Sequence, residues 1–177
     1  MIIIMGVAGA GKTMQGTMLA AELGCEWISI GNILRQHITD ERRERMQAGE
    51  LMADEETIDL LSETLTACKA SENECILDGC PRTLRQAEWL VEQIRAGKLM
   101  FTSVIHILAD KKLVKERLLK RGRLDDREEA IAQRFKEYDE TIVPIVQLLE
   151  DQGFKVHTIN GEGSIEEVHT RVLGALS

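Results

Sequence analysis

Residues 6–13 read GVAGAGKT, a G-x-x-x-x-G-K-[ST] string. The spacing has a chemical reason: glycines let backbone N–H groups turn inward around a di- or triphosphate. Gly9, Ala10 and Gly11 would line that cradle, Lys12 would reach the terminal phosphates, and Thr13 would offer its hydroxyl to Mg²⁺. The alternative is a glycine-rich turn that joins a strand to a helix and holds nothing. An apolar MIIIM before the string and helical spacing after it favour phosphate binding. The string by itself does not separate kinases from GTPases, other ATPases or nucleotide-gated scaffolds, although an N-K-x-D guanine signature is absent.

Three other stretches carry candidate chemistry. In LDGCPRTLRQAEW, Asp78 closes an apolar run and is placed to hold Mg²⁺ through water. Arg82 follows a turn fixed by Pro81, which aims its guanidinium at a second phosphate, unless Asp78 and Arg82 merely pair with each other. In SIGNILRQ, Arg35 falls on the first turns of a helix entered through Gly31 and Asn32, where the plain reading is an N-cap and a surface charge. In KRGRLDDREEAIAQRF, residues 120–135, four arginines (121, 123, 127 and 134) surround Asp125 and Asp126. The plain reading there is a helix N-terminus favoured by negative charge.

The elements that position these residues follow from periodicity. MIIIM (1–5), CEWISI (25–30), ECILD (74–78), TSVIHIL (102–108) and FKVHTI (154–159) read as strands. Residues 12–23, 54–69, 84–95, 111–120 and 126–151 carry apolar residues at helical spacing. Several strands are almost wholly apolar, which fits a parallel sheet covered by helices on both faces, an α/β doubly wound sandwich. Ligands of such sheets bind at the carboxyl ends of the strands, where the phosphate loop, SIGNILRQ and LDGCPRTLRQAEW fall.

The totals bound the answer. A chain of 177 residues, 44% hydrophobic, suffices for one well-packed domain. A net charge of −8 argues against a broad surface for nucleic acid or anionic lipid, so an anionic ligand needs a local basic pocket. The four cysteines show neither C-x-x-C pairing nor histidines at zinc-ligand spacing, and read as reduced cytosolic thiols. MIIIM is too short for a signal peptide or a membrane span, and a soluble cytoplasmic protein is expected.

In chain order, the phosphate loop, ISIGNILR, MQAGELMADE, LDGCPRTLRQA, ERLLKRGRLDD, AIAQRF and GEGSIEEV resemble the successive motifs of the adenylate kinase and nucleoside monophosphate kinase family, over nearly the whole chain. The LDG-PRT--QA pattern, and R-x-DD with a second Arg eleven residues on, are not general features of phosphate loops. The resemblance implies a three-layer sandwich around a five-stranded parallel sheet. It also implies a helical monophosphate-binding insertion at about 30–60, a minimal lid at about 121–126, and a monomer. The implied reaction is reversible, Mg²⁺-dependent transfer of the γ-phosphoryl of ATP to a nucleoside monophosphate, most readily AMP.

By the same resemblance Lys12, Arg82, Arg123 and Arg134 are catalytic, and Arg35 joins the last three around the acceptor and transferred phosphates. Gln86 and Ile30 would face the acceptor base, the backbone from Gly49 through Glu50 to Met52 would border its ribose and ring, and Gly79 would touch the acceptor through its main chain. Arg117 and Arg121, four apart on one helix, would flank ATP, and the loop at Gly163 would meet the adenine edge. Thr13 and Asp78 would serve Mg²⁺.

Four departures from the family pattern stand out. Ala8 replaces a proline and Thr13 directly follows Lys12, as in kinases of small metabolites such as gluconate or shikimate. Ile30 stands where a base-binding Thr is usual, which keeps uridylate/cytidylate kinases as an alternative. Asn32 and Cys80 replace Asp and Phe; Cys80 reads as a small buried hydrophobe rather than a redox site. Only Gly122 separates Arg121 from Arg123, so closure falls to a turn, and weak exclusion of water is expected. So short a lid also leaves open a nucleotide-binding regulator without efficient turnover.

Overall fold

The computed structural model describes residues 1–37, 53–122 and 126–177. Five strands, β1 (Ile2–Gly6), β2 (Glu26–Ser29), β3 (Cys75–Asp78), β4 (Ser103–Leu108) and β5 (Val156–Asn160), form one sheet in the order β2-β3-β1-β4-β5. Every neighbouring pair is parallel. The helices among the described residues are α1 (Lys12–Leu23), α2 (Ile30–His37), α3 (Asp54–Ala67), α4 (Leu84–Arg95), α5 (Lys111–Arg121), α6 (Glu128–Glu137), α7 (Val143–Asp151) and α8 (Ile165–Leu176).

The period-2 alternation of a strand sorts β1 between two cores. Ile3 and Met5 pack with Leu61, Leu65, Leu90 and Ile145 on the face of α3, α4 and α7. Ile2 and Ile4 pack with Leu19, Val114, Ile131 and Val172 on the face of α1, α5, α6 and α8. Each fully buried side chain of this size contributes about 1.5–3 kcal/mol, which is why β1 tolerates no polar position.

Helix ends show why the segments stop where they do. Asp110 caps α5, accepting from Lys112 N at 2.9 Å and Leu113 N at 3.3 Å, and Gly122 closes that helix at φ 65°. Ser164 and Glu167 form a reciprocal capping box on α8. That helix answers to GEGSIEEV and is absent from the helices read by periodicity.

Besides shifts of one or two residues at several ends, the elements differ from the sequence reading at α2 and across 126–151. Ile30 starts α2 instead of ending β2, because Ser29 Oγ accepts from Asn32 N at 3.4 Å and turns the chain. The N-terminal contact is thus made by Ser29, and Asn32 is its donor. The single helix expected over 126–151 is interrupted by a π-helical turn, Tyr138–Ile142, where Val143 N reaches back to Tyr138 O. Pro144 supplies the reason: it has no N–H to give Glu140, and its ring would press on that carbonyl, so the preceding turn widens.

Gly6 ends β1 at φ 140°, and an added Cβ would collide with the Ile107 carbonyl oxygen on β4. Gly6→Ala is therefore expected to destabilise the domain by about 2–4 kcal/mol, from backbone strain and overpacking together. Urea unfolding monitored by far-UV circular dichroism measures it; a change under about 0.5 kcal/mol would contradict this close approach.

Candidate active site

The glycine loop lies between the carboxyl end of β1 and the first turn of α1. Gly9 and Gly11 hold φ of 88° and 103°, conformations that L side chains rarely adopt, and nothing lies within 4 Å of a Cβ built on Gly11. Space is open beside Gly11, whereas a Cβ on Gly9 would meet Leu118 and Val114 of α5. Lys12 Nζ donates to Gly6 O at 2.8 Å and Val7 O at 2.9 Å, folded over its own loop. Ala10 is buried and its N–H closes the turn on Val7 O at 3.1 Å.

Parallel pairing of β1 with β3 sets Ile4 opposite Asp78, and β2 brings Ser29 to the same level. Thr13 Oγ1 donates to Asp78 Oδ2 at 2.9 Å across that junction. A hydroxyl and a buried carboxylate form a hard-oxygen pair beside a phosphate cradle, the donor set that Mg²⁺ takes. Thr13 and Asp78 therefore fit that ion. The direct Asp78–Arg82 pair weighed from the sequence is not the contact Asp78 makes.

Past Asp78, Gly79 turns at φ 88° beside Gly31 of α2, and the Cys80–Pro81 bond is cis. The turn is then tied to α4 and α3. Gln86 Oε1 accepts from Arg82 N at 2.8 Å, and Gln86 Nε2 donates to Asp54 Oδ1 at 2.9 Å. Thr83 caps α4 by accepting from Gln86 N at 3.3 Å, and spends its proton on Asp54 Oδ1 at 2.7 Å. Asp54, opening α3, was missed by sequence reasoning because its role appears only when α3 meets α4. Cys80 is buried and its Sγ stands 3.5 Å from Gln86 Oε1. Burial pushes the thiol up to about 12 despite nearby Arg82, so it is an inert proton donor at neutral pH.

The remaining arginines divide between two helices. Arg134 on α6 donates to the buried Asp126 at 3.1 Å, which gives that aspartate an arginine-orienting place. Exposed Arg82 points toward Glu137 of the same helix, with 3.9 Å between Nη1 and Oε1. Arg127 is exposed and immediately precedes α6, consistent with a solvated charge. Arg117 on α5 donates to Gly161 O at 3.1 Å and Gly163 O at 3.4 Å, so two positions expected near the adenine meet. Arg171 secures the same loop through Asn160 O at 2.8 Å and Glu162 O at 2.6 Å.

Glu50, Met52 and Arg123 lie outside the described residues, as do Gly49 and Asp125. Arg35 and Arg121 fall on α2 and α5, and their side chains also lie outside the description. Ile30 is 1% exposed and belongs to the apolar core with Leu34, so its side chain supplies packing at that position. Among the described residues no group of three or more His, Cys, Asp or Glu could hold a metal ion, and the four cysteines are free thiols. No helix among the described residues is long and apolar enough to cross a membrane.

A glycine cradle with Lys and Thr, faced by an aspartate at the neighbouring strand end and arginines beyond it, defines a P-loop phosphotransferase fold. The adenylate kinase family model matches residues 4–154. Similar proteins include the adenylate kinase of Corynebacterium glutamicum, 33% identical with 99% of this chain and 98% of that protein covered, and the adenylate kinase of Mycobacterium sp. strain MCS, 35% identical with the same coverage. The adenylate kinase of Mycobacterium tuberculosis is 32% identical over equal shares. The chain belongs to the adenylate kinase family, enzymes that transfer phosphoryl groups between nucleotides.

Beneath the loop, on β4 opposite Met5, buried His106 places Nε2 2.8 Å from Tyr138 Oη in the π-helical turn. Burial, and then the Lys12 charge, lower its pKa from the ordinary value near 6.5. The native fold therefore refuses a proton that the unfolded chain accepts. Stability is flat well above pH 6.5 and falls as pH drops through that value. Half-buried His157, lowered by burial and then by Lys155, adds to the same slope. The urea midpoint should fall between pH 7.5 and 5.5, and fall less in a His106→Gln protein; equal falls would dismiss His106 as its source.

Proposed function

We propose that the chain catalyses reversible, Mg²⁺-dependent transfer of the ATP γ-phosphoryl group to a nucleoside monophosphate, with AMP the preferred acceptor, as a cytoplasmic monomer. The observation that carries this reading is the Thr13–Asp78 pair beside Lys12, facing a turn whose Arg82 backbone is fixed by Gln86. The names of the relatives support AMP as acceptor.

The phosphate loop from Gly9 to Thr13 binds the ATP phosphates through backbone N–H groups, and Lys12 leaves its loop carbonyls for phosphate oxygens. Thr13 and Asp78 would hold Mg²⁺, which when bound would supply positive charge against the phosphate oxygens. Arg117 and the Gly163 loop border the adenine of ATP, with Arg121 alongside. Gln86 reads the acceptor base and Gly79 meets the acceptor through its main chain. Arg35 and the segment with Glu50 and Met52 enclose the acceptor within the 30–60 insertion, with Ile30 packed in the core behind it. Arg82, Arg123 and Arg134 gather around the transferred group. No side-chain nucleophile is required, since positioning and charge stabilisation lower the barrier.

Burial of Ile30 in the core favours a second reading, a uridylate or cytidylate kinase, because a hydrogen-bond donor to adenine is missing there. A coupled assay with ATP and AMP, CMP, UMP, GMP and their deoxy forms decides. Turnover best with AMP is expected, and turnover confined to sugars or acids, or binding alone, would overturn the proposal.

Arg82→Ala and Arg134→Ala should each lower kcat/KM by about 100-fold or more while the proteins stay folded. Near-normal turnover in either would remove that arginine from the phosphoryl site. A lid reduced to residues 121–126 should also leave measurable ADP release from ATP without acceptor. Negligible release would show that so short a segment still excludes water.

A further inference from the structure

The side chain proposed to read the acceptor base is held by the protein in one orientation only. A backbone N–H can only donate, so the Gln86 atom facing Arg82 N at 2.8 Å must be the amide oxygen. A carboxylate oxygen accepts, so the atom facing Asp54 Oδ1 at 2.9 Å must be the amide nitrogen. These two contacts fix an assignment that shape alone leaves open. The oxygen is then saturated, because the Cys80 thiol meets its second lone pair at 3.5 Å. Gln86 is 3% exposed, and among the described residues its second Nε2–H has no hydrogen-bond partner.

We propose that Asp54 is a positioning residue for acceptor choice, holding the Gln86 amide so that it offers the acceptor base one N–H donor and no acceptor. The atom of the base that meets Gln86 must then be a ring nitrogen or a carbonyl oxygen, since the Gln86 amide has no acceptor left for an exocyclic amino group. Asp54 can do this because it opens α3 while Thr83 opens α4, and one carboxylate oxygen takes protons from both Thr83 and Gln86. Thr83 completes the clasp by fixing the Gln86 backbone N–H. Cys80 gives the arrangement a chemical reason for standing where the family pattern has Phe, since only a thiol donates.

The inference rests on the nucleoside monophosphate kinase reading, and its test separates the two. In Asp54→Ala the amide loses its nitrogen-side acceptor, and the KM for AMP should rise about tenfold, the worth of one oriented hydrogen bond to a charged group, with the KM for ATP unchanged. Asp54→Asn retains an oxygen that accepts from both groups and should restore the KM for AMP to within about threefold of wild type. A structural role alone would shift both KM values together, or neither, and either result overturns the proposal. Side-chain amide NMR of the ligand-free protein reads the clasp directly. One Gln86 Nε2 proton should be shifted and slow to exchange in wild type and Asp54→Asn, and lose both properties in Asp54→Ala. An unchanged signal in Asp54→Ala overturns the clasp even if no nucleoside monophosphate is turned over, a result that would instead dismiss the proposed acceptor class.

Discussion

The site depends on the parallel register of β1 between β3 and β4. Ile4 opposite Asp78 sets one carboxylate level with the end of the glycine loop, and Gly6 opposite Ile107 lets the loop leave the sheet where a side chain would not fit. A slip of one residue would turn Asp78 to the other face and force the β1 side chains fitted to one core into the other. Burial of β1 on both faces makes that slip expensive, so the apolar cores and the Thr13–Asp78 geometry are two results of one constraint. Gly161 extends it: an added Cβ would press on Ile107, Leu108 and the Ala10 carbonyl, so the end of β5 is fitted against the phosphate loop itself.

What was legible in the sequence is what local chemistry determines. Five strands, α1 and α4 follow from apolar runs and helical spacing, because each is buried by neighbours that do not alter its period. Lys12, Thr13 and Asp78 were legible because one motif and one strand end specify them. The π-helical turn was not, since periodicity carried the eye across Pro144 as though the helix continued. Ser29 was passed over for Asn32 because both side chains can cap, and only the turn at Ile30 decides between them. Asp54, His106 and Glu137 were invisible for a deeper reason: each acts on a residue 29 or more positions away, or across a helix packing known only after folding.

The polar clasp at Gln86 also explains why α3 and α4 meet as they do. Three hydrogen bonds converge on Asp54 and Gln86 at a partly buried seam, where each is stronger than in water and an unmet partner would be costly. Ile58, Leu61 and Leu65 pack the rest of α3 onto the core, so the helix is anchored by apolar contacts along its length and oriented by polar ones at its tip.

The two arginines near α6 are held by carboxylates of unlike strength, and this assigns them different parts. Asp126 is buried and Arg134 only 18% exposed, so that pair sits in a low-dielectric setting and resists separation more than a surface pair does. Arg82 and Glu137 stand 3.9 Å apart with Arg82 45% exposed, an ion pair worth under about 1 kcal/mol. An incoming phosphate dianion competes easily with Glu137 and poorly with Asp126. On the proposed reaction, Arg82 is the arginine that would move to the ligand, its backbone already fixed by Gln86, while Arg134 would be the fixed charge toward which the ligand comes. Transition-state stabilisation gains from this asymmetry: a preset arginine costs no reorganisation when charge develops, and a mobile one lets the acceptor enter and leave.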